Sequence, residues 1–324
     1  MILIIGGNGF VGQHLAANLA RKNQRVTIAG RSSARLPDML AQLADANIAV
    51  DKVDVTSPFD VMGLFHRHRP EIVIDLSGHA PKKLSLGADV QFRVNSLTNI
   101  LEAARIHVTG KIVLMSSMDT YWGLDNDLAP YREDMPVPLI ENDDHFIVQA
   151  WAKKTLEVIA NLYIREAGSP IRIARAAGVY GPLYRTLMNV PSRLAHAAVG
   201  RLDLTATVLP AAEDGYDQIF VEDMVEGLAM LALADDLRHR VYNLGSGEAY
   251  TYQRFAQAAM AARPGFAISL PSRAEGGGAL IGPDQMAGRC IDISRARTEL
   301  GFQPRFTPET AMAKYIAWLE ETPL

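Results

Sequence analysis

Residues 2–12 read ILIIGGNGFVG, a short apolar run followed at once by glycines at every third position, Gly6, Gly9 and Gly12. The apolar run Ile2–Ile5 is rich in β-branched residues, which favours a buried strand, and a helix-period pattern begins after the last glycine. Glycines at this spacing allow a tight turn and let the backbone approach a pyrophosphate, whose charge lies at the helix N-terminus. The stretch therefore predicts a dinucleotide-binding turn.

The alternation of strand and helix continues through the first half of the chain. Further apolar runs predict strands at Arg25–Ala29, Ile48–Val53, Glu71–Leu76, Lys111–Met115 and Ile171–Arg175. Amphipathic segments predict helices at His14–Lys22, Leu36–Leu43, Val61–Arg67, Asn95–Arg105 and Phe146–Ala167. This order implies an α/β fold, a Rossmann-type doubly wound parallel sheet with helices on both faces.

A change in pattern after residue 180 predicts a second domain. Beyond Gly181 the regular alternation weakens, and proline, glycine and short elements dominate. We therefore expect residues 1–180 to form the dinucleotide-binding domain and residues 181–324 to form mainly a smaller substrate-binding cap. Later segments, about 217–245, are expected to return to the first domain.

The composition excludes several classes of protein. The 324 residues are 48% apolar and 21% charged, near globular averages, so a disordered or collagen-like chain is excluded. The net charge of −4 gives no electrostatic case for nucleic acid or an anionic membrane surface. No apolar run approaches the ~18 residues of a membrane span. The single cysteine, Cys290, allows no intramolecular disulfide and no cysteine-based zinc site. We expect a cytoplasmic globular protein without a metal.

Further landmarks follow the glycine turn in a fixed order. They are Asp54-Val55, Ile74-Asp75-Leu76-Ser77-Gly78, Met115-Ser116-Ser117, Ala174-Arg175, Val179-Tyr180-Gly181-Pro182, Ile219-Phe220-Val221-Glu222-Asp223, Tyr242-Asn243-Leu244-Gly245 and Asp292-Ile293-Ser294-Arg295-Ala296. With these landmarks the chain resembles the extended short-chain dehydrogenase/reductase family, which includes nucleotide-sugar epimerases and dehydratases. The resemblance covers essentially the whole chain.

The resemblance implies an NAD(P) site built from several of these segments. Asp54 is expected at the adenine, and Asn95 is expected to open the helix after strand four. The implied cofactor-binding residues are Gly6, Gly9, Phe10, Val11, Gly12, Asp54, Val55, Leu76, Ser77, Gly78, Asn95 and Lys153.

The end of the second strand bears on the choice between NAD and NADP. An acidic residue there would hold a ribose 2′-hydroxyl, whereas a basic residue accommodates a 2′-phosphate. The sequence reads Ala29-Gly30-Arg31-Ser32-Ser33-Ala34-Arg35, with no acid before Asp38. Arg31, Ser32 and Arg35 could grip a phosphate. NADP is therefore favoured, with NAD as the alternative.

The catalytic residues that the resemblance implies are only partly present. The family places a Ser or Thr, a Tyr and a Lys around the nicotinamide, and Ser117 and Lys153 match two of them. Gln149 stands four residues before Lys153, where the Tyr belongs. A glutamine amide can orient a substrate but cannot exchange a proton near neutral pH, so it cannot act as the general base.

Two other residues are candidates for proton transfer. His145 precedes Gln149 by one helical turn, and Asp119 follows Ser117 by two residues. Each has a simpler alternative role, in capping a helix or a turn.

The substrate side also departs from the nucleotide-sugar enzymes. Tyr121 and Tyr180 are expected to form pocket walls, and Asn189 could correspond to an asparagine near their substrate diphosphate. However, Gly178 replaces the family's asparagine after Arg175, and residues 282–286 lack its diphosphate-binding arginine. Because a desolvated diphosphate needs paired donors or charges, this favours a smaller or uncharged substrate.

Three functions remain open from the sequence. The first is an NAD(P)-dependent epimerase, dehydratase or reductase with altered acid/base residues, an oxidoreductase-like enzyme acting on a hydroxyl or carbonyl carbon of a small polar, sugar-like or natural-product substrate. The second is a non-catalytic NADP-binding sensor or partner-binding protein, and the third is a nucleotide-sugar epimerase with unchanged chemistry. We expect a small-molecule substrate and no nucleic-acid or membrane partner, and a homodimer stays open.

Overall fold

The computed structural model describes residues 1–31, 36–41, 43, 47–78, 84–139, 148–204, 208–278 and 288–322. Its strands are β1 (Ile2–Ile5), β2 (Val26–Gly30), β3 (Ile48–Lys52), β4 (Ile72–Asp75), β5 (Lys111–Ser117), β6 (Ile171–Ala176), β7 (Gly178–Tyr180), β8 (Gly215–Phe220), β9 (Val241–Leu244) and β10 (Ala249–Thr251). Its α-helices are α1 (Phe10–Arg21), α2 (Asp38–Ala41), α3 (Pro58–His68), α4 (Leu86–Ile106), α5 (Val148–Ala167), α6 (Val190–Ala198), α7 (Val221–Leu233), α8 (Tyr252–Ala262), α9 (Ser294–Leu300) and α10 (Pro308–Glu321).

Seven parallel strands form the main sheet in the spatial order β3-β2-β1-β4-β5-β6-β9. The strand order reverses between β1 and β4. In open α/β sheets, ligands bind beyond the carboxyl ends of the strands at such a reversal. The predicted doubly wound sheet is confirmed, and its topology places a ligand crevice beside the glycine turn.

The alternation of side chains along β1 explains how both faces of the sheet are covered. Ile2 and Ile4 belong to one buried cluster, which includes residues of α1 and α7. Leu3 and Ile5 belong to a second cluster, which includes residues of α3 and α4. Successive residues of a strand point to opposite faces, so a wholly apolar strand needs helices on both sides.

Side-chain caps mark where helices α3 and α4 begin. Ser57 accepts a hydrogen bond from the Asp60 amide at the start of α3, and Ser85 caps α4 in the same way. Because α4 begins at Leu86, the prediction that Asn95 opens this helix is wrong. The helix predicted at Leu36–Leu43 is observed only over Asp38–Ala41.

A smaller layer lies beyond the main sheet. Strands β10, β8 and β7 form a three-stranded sheet in that order, and residues of α6, α8 and α10 share a third buried cluster. Strand β9 returns to the main sheet beside β6. The division into domains at residue 180 stays a prediction. Among the described helices, none has the length and apolar character needed to cross a membrane.

Candidate functional site

The glycine turn connects β1 to α1 and depends on three glycines. Gly6 has φ +81°, in the left-handed region that favours glycine, and the amide of Gly9 donates to its carbonyl at 3.0 Å. A β-carbon on Gly12 would lie 2.5 Å from the Gly6 oxygen, so only glycine lets the helix approach the strand this closely. Helix α1 then begins at Phe10 without a side-chain cap. The predicted strand–turn–helix structure is observed.

A cavity of about 630 Å³ opens over this turn at the carboxyl edge of the sheet. Its volume lies within the range of small-molecule sites. The predicted cofactor residues that line it are Gly6, Gly9, Arg31, Val55, Leu76 and Ser77. The sequence analysis did not assign the other lining residues, which are Ile5, Asn8, Gly30, Val53 and Phe92. The Arg31 guanidinium lies 5.8 Å from the centre of the Phe92 ring. The predicted elements thus converge on one crevice.

Arg31 lines the crevice, and its positive charge acts on the carboxylate of Asp54, which is not among the lining residues. The Asp54 carboxylate accepts hydrogen bonds from the amide and hydroxyl of Thr56, at 2.9 and 2.7 Å. These bonds, and to a smaller extent the charge of Arg31, hold the pKa of Asp54 below its usual range. Ser32 and Arg35 lie outside the described residues. Of the predicted phosphate-binding group, Arg31 is therefore the member that the structure places.

Some predicted cofactor residues occupy other positions. Asn95 is exposed on α4 and is not among the residues that line the crevice, whereas Phe92, three positions earlier, is. Phe10 makes edge-on contacts with the rings of His14 and Tyr184. Val11 packs partly buried against the first cluster. These two side chains hold the start of α1 in place.

Lys153 lies at the centre of the second part of the site. Its buried ammonium donates a 2.6 Å hydrogen bond to the carbonyl of Met115 on β5. A β-carbon on Gly78 would lie 3.0 Å from its Nζ atom, so the lysine passes directly against the turn after β4. Burial lowers the pKa of Lys153, while the charges of Asp75 and Asp119 oppose this shift. The predicted lysine thus lies between the two strand ends.

Asp75 is a buried carboxyl that the sequence analysis did not assign to the site. It accepts hydrogen bonds from the amide and hydroxyl of Ser77, at 2.8 and 2.5 Å. Burial raises its pKa, and those bonds and Lys153 oppose the rise. Asp75, Ser77, Gly78 and Lys153 also line a small cavity of about 30 Å³. The signal in the sequence was an aspartate that ends an otherwise apolar strand.

Ser117 and Asp119 meet at the carboxyl end of β5. The Ser117 hydroxyl accepts a 3.1 Å hydrogen bond from the Asp119 amide, at the start of the 3₁₀ turn Met118–Tyr121. Burial raises the pKa of Asp119, whereas a hydrogen bond with Ser117 and the positive charge of Lys153 lower it. A carboxyl with a raised pKa beside a lysine is suited to proton transfer.

The remaining two catalytic candidates, Gln149 and His145, are close together in the sequence at the start of the predicted helical segment Phe146–Ala167. Gln149 is half-buried in the first turn of α5, four residues before Lys153. His145 lies outside the described residues. Of the two ionisable candidates, Asp119 is therefore the one that the structure places beside Ser117.

The expected substrate contact of Tyr121 is corrected by the bonds that its hydroxyl makes within the chain. Its side chain is fully buried, and its hydroxyl donates to Asn243 and accepts from Arg175, each at 2.9 Å. The Arg175 guanidinium also pairs with Glu157 at 2.7 Å. Tyr121 therefore belongs to a buried polar network in which its hydroxyl already has partners within the chain.

The expected contacts of Tyr180 and Asn189 are corrected in the same way. Tyr180 is 1% exposed and packs edge-on against Phe220 and Phe255. The buried Asn189 side chain caps α6 by accepting a hydrogen bond from the Ser192 amide. It also donates a hydrogen bond to the Val179 carbonyl. The position of Asn189 in the sequence indicated a ligand contact, but the oxygen and the nitrogen of its side-chain amide both have partners within the chain.

A family and several relatives match this chain. The profile of the NAD dependent epimerase/dehydratase family matches residues 2–245, and the chain belongs to this family. A dTDP-glucose 4,6-dehydratase of Neisseria meningitidis serogroup B is 22% identical over 351 residues, covering 98% of this chain and 92% of the relative. A UDP-glucose 4-epimerase of Neisseria gonorrhoeae is 26% identical over 342 residues, covering 99% and 98%.

Solved structures share the fold. The UDP-glucose 4-epimerase of Thermotoga maritima, solved with UDP-glucose, superposes with a TM-score of 0.78 at 20% identity, covering 99% of this chain and 98% of that one. The UDP-glucose 4-epimerase of Thermus thermophilus, solved with NAD, has a TM-score of 0.75 at 20% identity and covers 98% of each chain. These similarities confirm the architecture over the whole chain.

Proposed function

We propose that this protein is an NAD(P)-dependent enzyme of the epimerase, dehydratase or reductase type, acting at a hydroxyl or carbonyl carbon of a sugar-like substrate. The observation that carries the proposal is the meeting of Ser117, Asp119 and Lys153 at one strand edge, beside the crevice over the glycine turn. Membership of the family supports the same conclusion.

The residues of the crevice fit a dinucleotide. The left-handed backbone of Gly6 and the short distance at Gly12 hold the turn in the form that a pyrophosphate requires. Among the described residues other than its chain neighbours, a β-carbon on Gly9 would meet one heavy atom within 4 Å, the Gly6 oxygen at 3.1 Å. This glycine therefore borders open space. The bound cofactor would accept or supply a hydride. The chain would hold its pyrophosphate at the turn and its nicotinamide ribose through Lys153.

Asp119 is the proposed acid/base residue, since Gln149 cannot exchange a proton near neutral pH. Its ionised carboxylate would take a proton from the substrate, and Ser117 would polarise the reacting oxygen. Gln149 would hold a substrate oxygen in place by hydrogen bonding. Lys153 would stabilise the negative charge that develops beside Asp119.

NADP is the preferred cofactor in this proposal. Arg31 lies at the end of β2 against the Phe92 ring, and the neighbouring carboxylate of Asp54 is bound to Thr56. A solved neighbour carries NAD, so both cofactors belong in the test.

The test combines cofactor identification with a substrate panel. The protein is purified, any bound nucleotide is identified by mass spectrometry, and NAD or NADP is added with dTDP-glucose, UDP-glucose or free glucose. Nuclear magnetic resonance follows the products, and near-ultraviolet absorbance follows the reduced nicotinamide. We expect conversion of at least one sugar and none with Lys153→Ala.

A second candidate function is non-catalytic NADP binding, which Gln149 in the tyrosine position favours. Tight binding of cofactor without conversion of any sugar in the panel would support it against the enzyme. A permanently bound NAD would indicate internal hydride recycling, as an epimerase needs, whereas exchangeable NADP(H) would indicate a reductase.

A further inference from the structure

Gln218 on β8 is a buried amide whose hydrogen-bonding groups are unused. Its side chain is 1% exposed, and neither Nε2 nor Oε1 has a hydrogen-bond partner in the described part of the chain. A buried polar group without a partner destabilises a folded protein, and such groups are rare in native structures. Both amide atoms are therefore available to bond with a group that is not part of the chain.

Tyr216 lies on the same face of β8, because residues two apart in a strand point the same way. Gln218 is in register with Gly178 of β7. A β-carbon on Gly178 would lie 2.6 Å from Cε2 of Tyr216 and 3.0 Å from its hydroxyl oxygen. The phenol therefore occupies the space that a side chain at position 178 would fill, and position 178 is the register partner of Gln218.

This pair lies near the candidate catalytic residues. Gly178 lies two residues after Ala176, the last residue of β6, and Ser117 is in register with Ala176. Burial raises the pKa of Tyr216 well above its usual range, and the charge of Asp119 contributes to the rise. The phenol consequently stays protonated near neutral pH and can donate a hydrogen bond.

We propose that the Tyr216 hydroxyl and the Gln218 amide bind an uncharged polar group of the substrate, a hydroxyl or carbonyl, and thereby determine specificity. This inference rests on the proposed function and narrows its substrate class. Both side chains are neutral, whereas a desolvated phosphate needs a charge or several donors. Arg289 is adjacent to Tyr216 in a backbone bridge, but its guanidinium stacks on Trp122, 4.8 Å from the ring centre.

The first measurement is the stability of Gln218→Leu in urea. Because the amide atoms have no partner in the fold, an apolar side chain of similar size is expected to keep or raise the unfolding midpoint. Gln257→Leu, at an exposed position of α8, is the matched control. A lower midpoint for Gln218→Leu alone would show that the fold itself uses the amide, and would overturn the proposal.

The second measurement is binding, which needs no turnover. Nuclear magnetic resonance titrations of the NADP-loaded protein compare D-glucose with glucose 1-phosphate. We expect no preference for the phosphorylated sugar, and about tenfold weaker glucose binding in Gln218→Leu and Tyr216→Phe, the factor expected for one lost hydrogen bond. Tyr163→Phe, which removes a hydroxyl bound to Glu102, is the control and should bind glucose unchanged.

The outcomes separate this inference from the proposed function. Unchanged glucose affinity in both variants, tenfold tighter binding of glucose 1-phosphate, or no binding of either sugar would overturn the inference. Glucose binding that depends on Tyr216 and Gln218, without conversion of any sugar, would support the inference and contradict the enzymatic proposal.

Discussion

A β-carbon on Gly78 would lie 3.0 Å from the Nζ atom of Lys153. The lysine ammonium is thus held between the turn after β4 and the Met115 carbonyl, to which it donates at 2.6 Å. A glycine at position 78 lets one cation reach both strand ends. The position of Lys153 therefore depends on a residue 75 positions away in the chain.

Gly78→Ala is expected to displace the lysine without unfolding the protein, because the nearest atom is the end of a flexible side chain. We expect the free energy of cofactor binding to become less favourable by about 1.5–3 kcal/mol, the range for hydrogen bonds to a charged group, and turnover to fall as well. Calorimetric titration with NADP measures the loss. Gly87→Ala, whose added carbon would meet no heavy atom of the described residues within 4 Å beyond its own helix backbone, should bind as the wild type does. Equal binding by both variants would show that the contact with Gly78 does not position Lys153.

Two glycines of the turn should respond differently to substitution. Gly9→Val should abolish cofactor binding in a folded protein, because its side chain would project into the crevice over the turn. Gly12→Ala should destabilise the fold, since its β-carbon would lie 2.5 Å from a backbone oxygen. Thermal unfolding by circular dichroism and titration with NADP distinguish the two effects. Undiminished binding by Gly9→Val would exclude this glycine from the cofactor site.

Arg31→Ala should weaken NADP by about 1–3 kcal/mol, as expected for the loss of a charge-assisted contact, and leave NAD nearly unchanged. The comparison uses the same protein preparation and both cofactors. Arg105→Ala removes an exposed arginine that pairs with Glu102 on α4 and provides the control. Equal losses for NADP and NAD would contradict the assignment of Arg31 to the 2′-phosphate.

The glycine turn could be predicted from sequence because its requirements are local: Gly6, Gly9 and Gly12 act on each other across a few residues. Tyr121 could not be placed, since its burial depends on Asn243 and Arg175, which the fold brings from distant strands. Asn95 was misplaced because the cap at Ser85 starts α4 earlier than the apolar pattern does. The sequence did not indicate a binding role for Gln218, because its lack of hydrogen-bond partners depends on the pairing of β7 with β8.

Asp119 predicts the pH dependence of the reaction. Burial raises its pKa above the usual 3.8, so its carboxylate form, and with it the rate, should increase as pH rises through that raised value. Asp119→Asn should remove this limb of the profile of kcat/KM. Ser117→Ala should move the limb to higher pH, because the hydrogen bond with Ser117 lowers the pKa of Asp119. A limb that persists in Asp119→Asn would assign the proton transfer to another group.

Gln149 and Lys153 should differ in how much activity their loss removes. Gln149 can only orient the substrate, and losing one orienting hydrogen bond costs about 1 kcal/mol. The positive charge of Lys153 lies near Asp75 and Asp119. Lys153→Ala therefore removes this charge together with the proposed cofactor contact. Gln149→Ala should therefore retain more activity than Lys153→Ala, measured as kcat/KM on any substrate that is converted. Gln149→Tyr is not expected to raise kcat/KM, because a bulkier phenol would replace a half-buried amide. If Gln149→Ala were as inactive as Lys153→Ala, the amide would be essential and Asp119 would not suffice as the base.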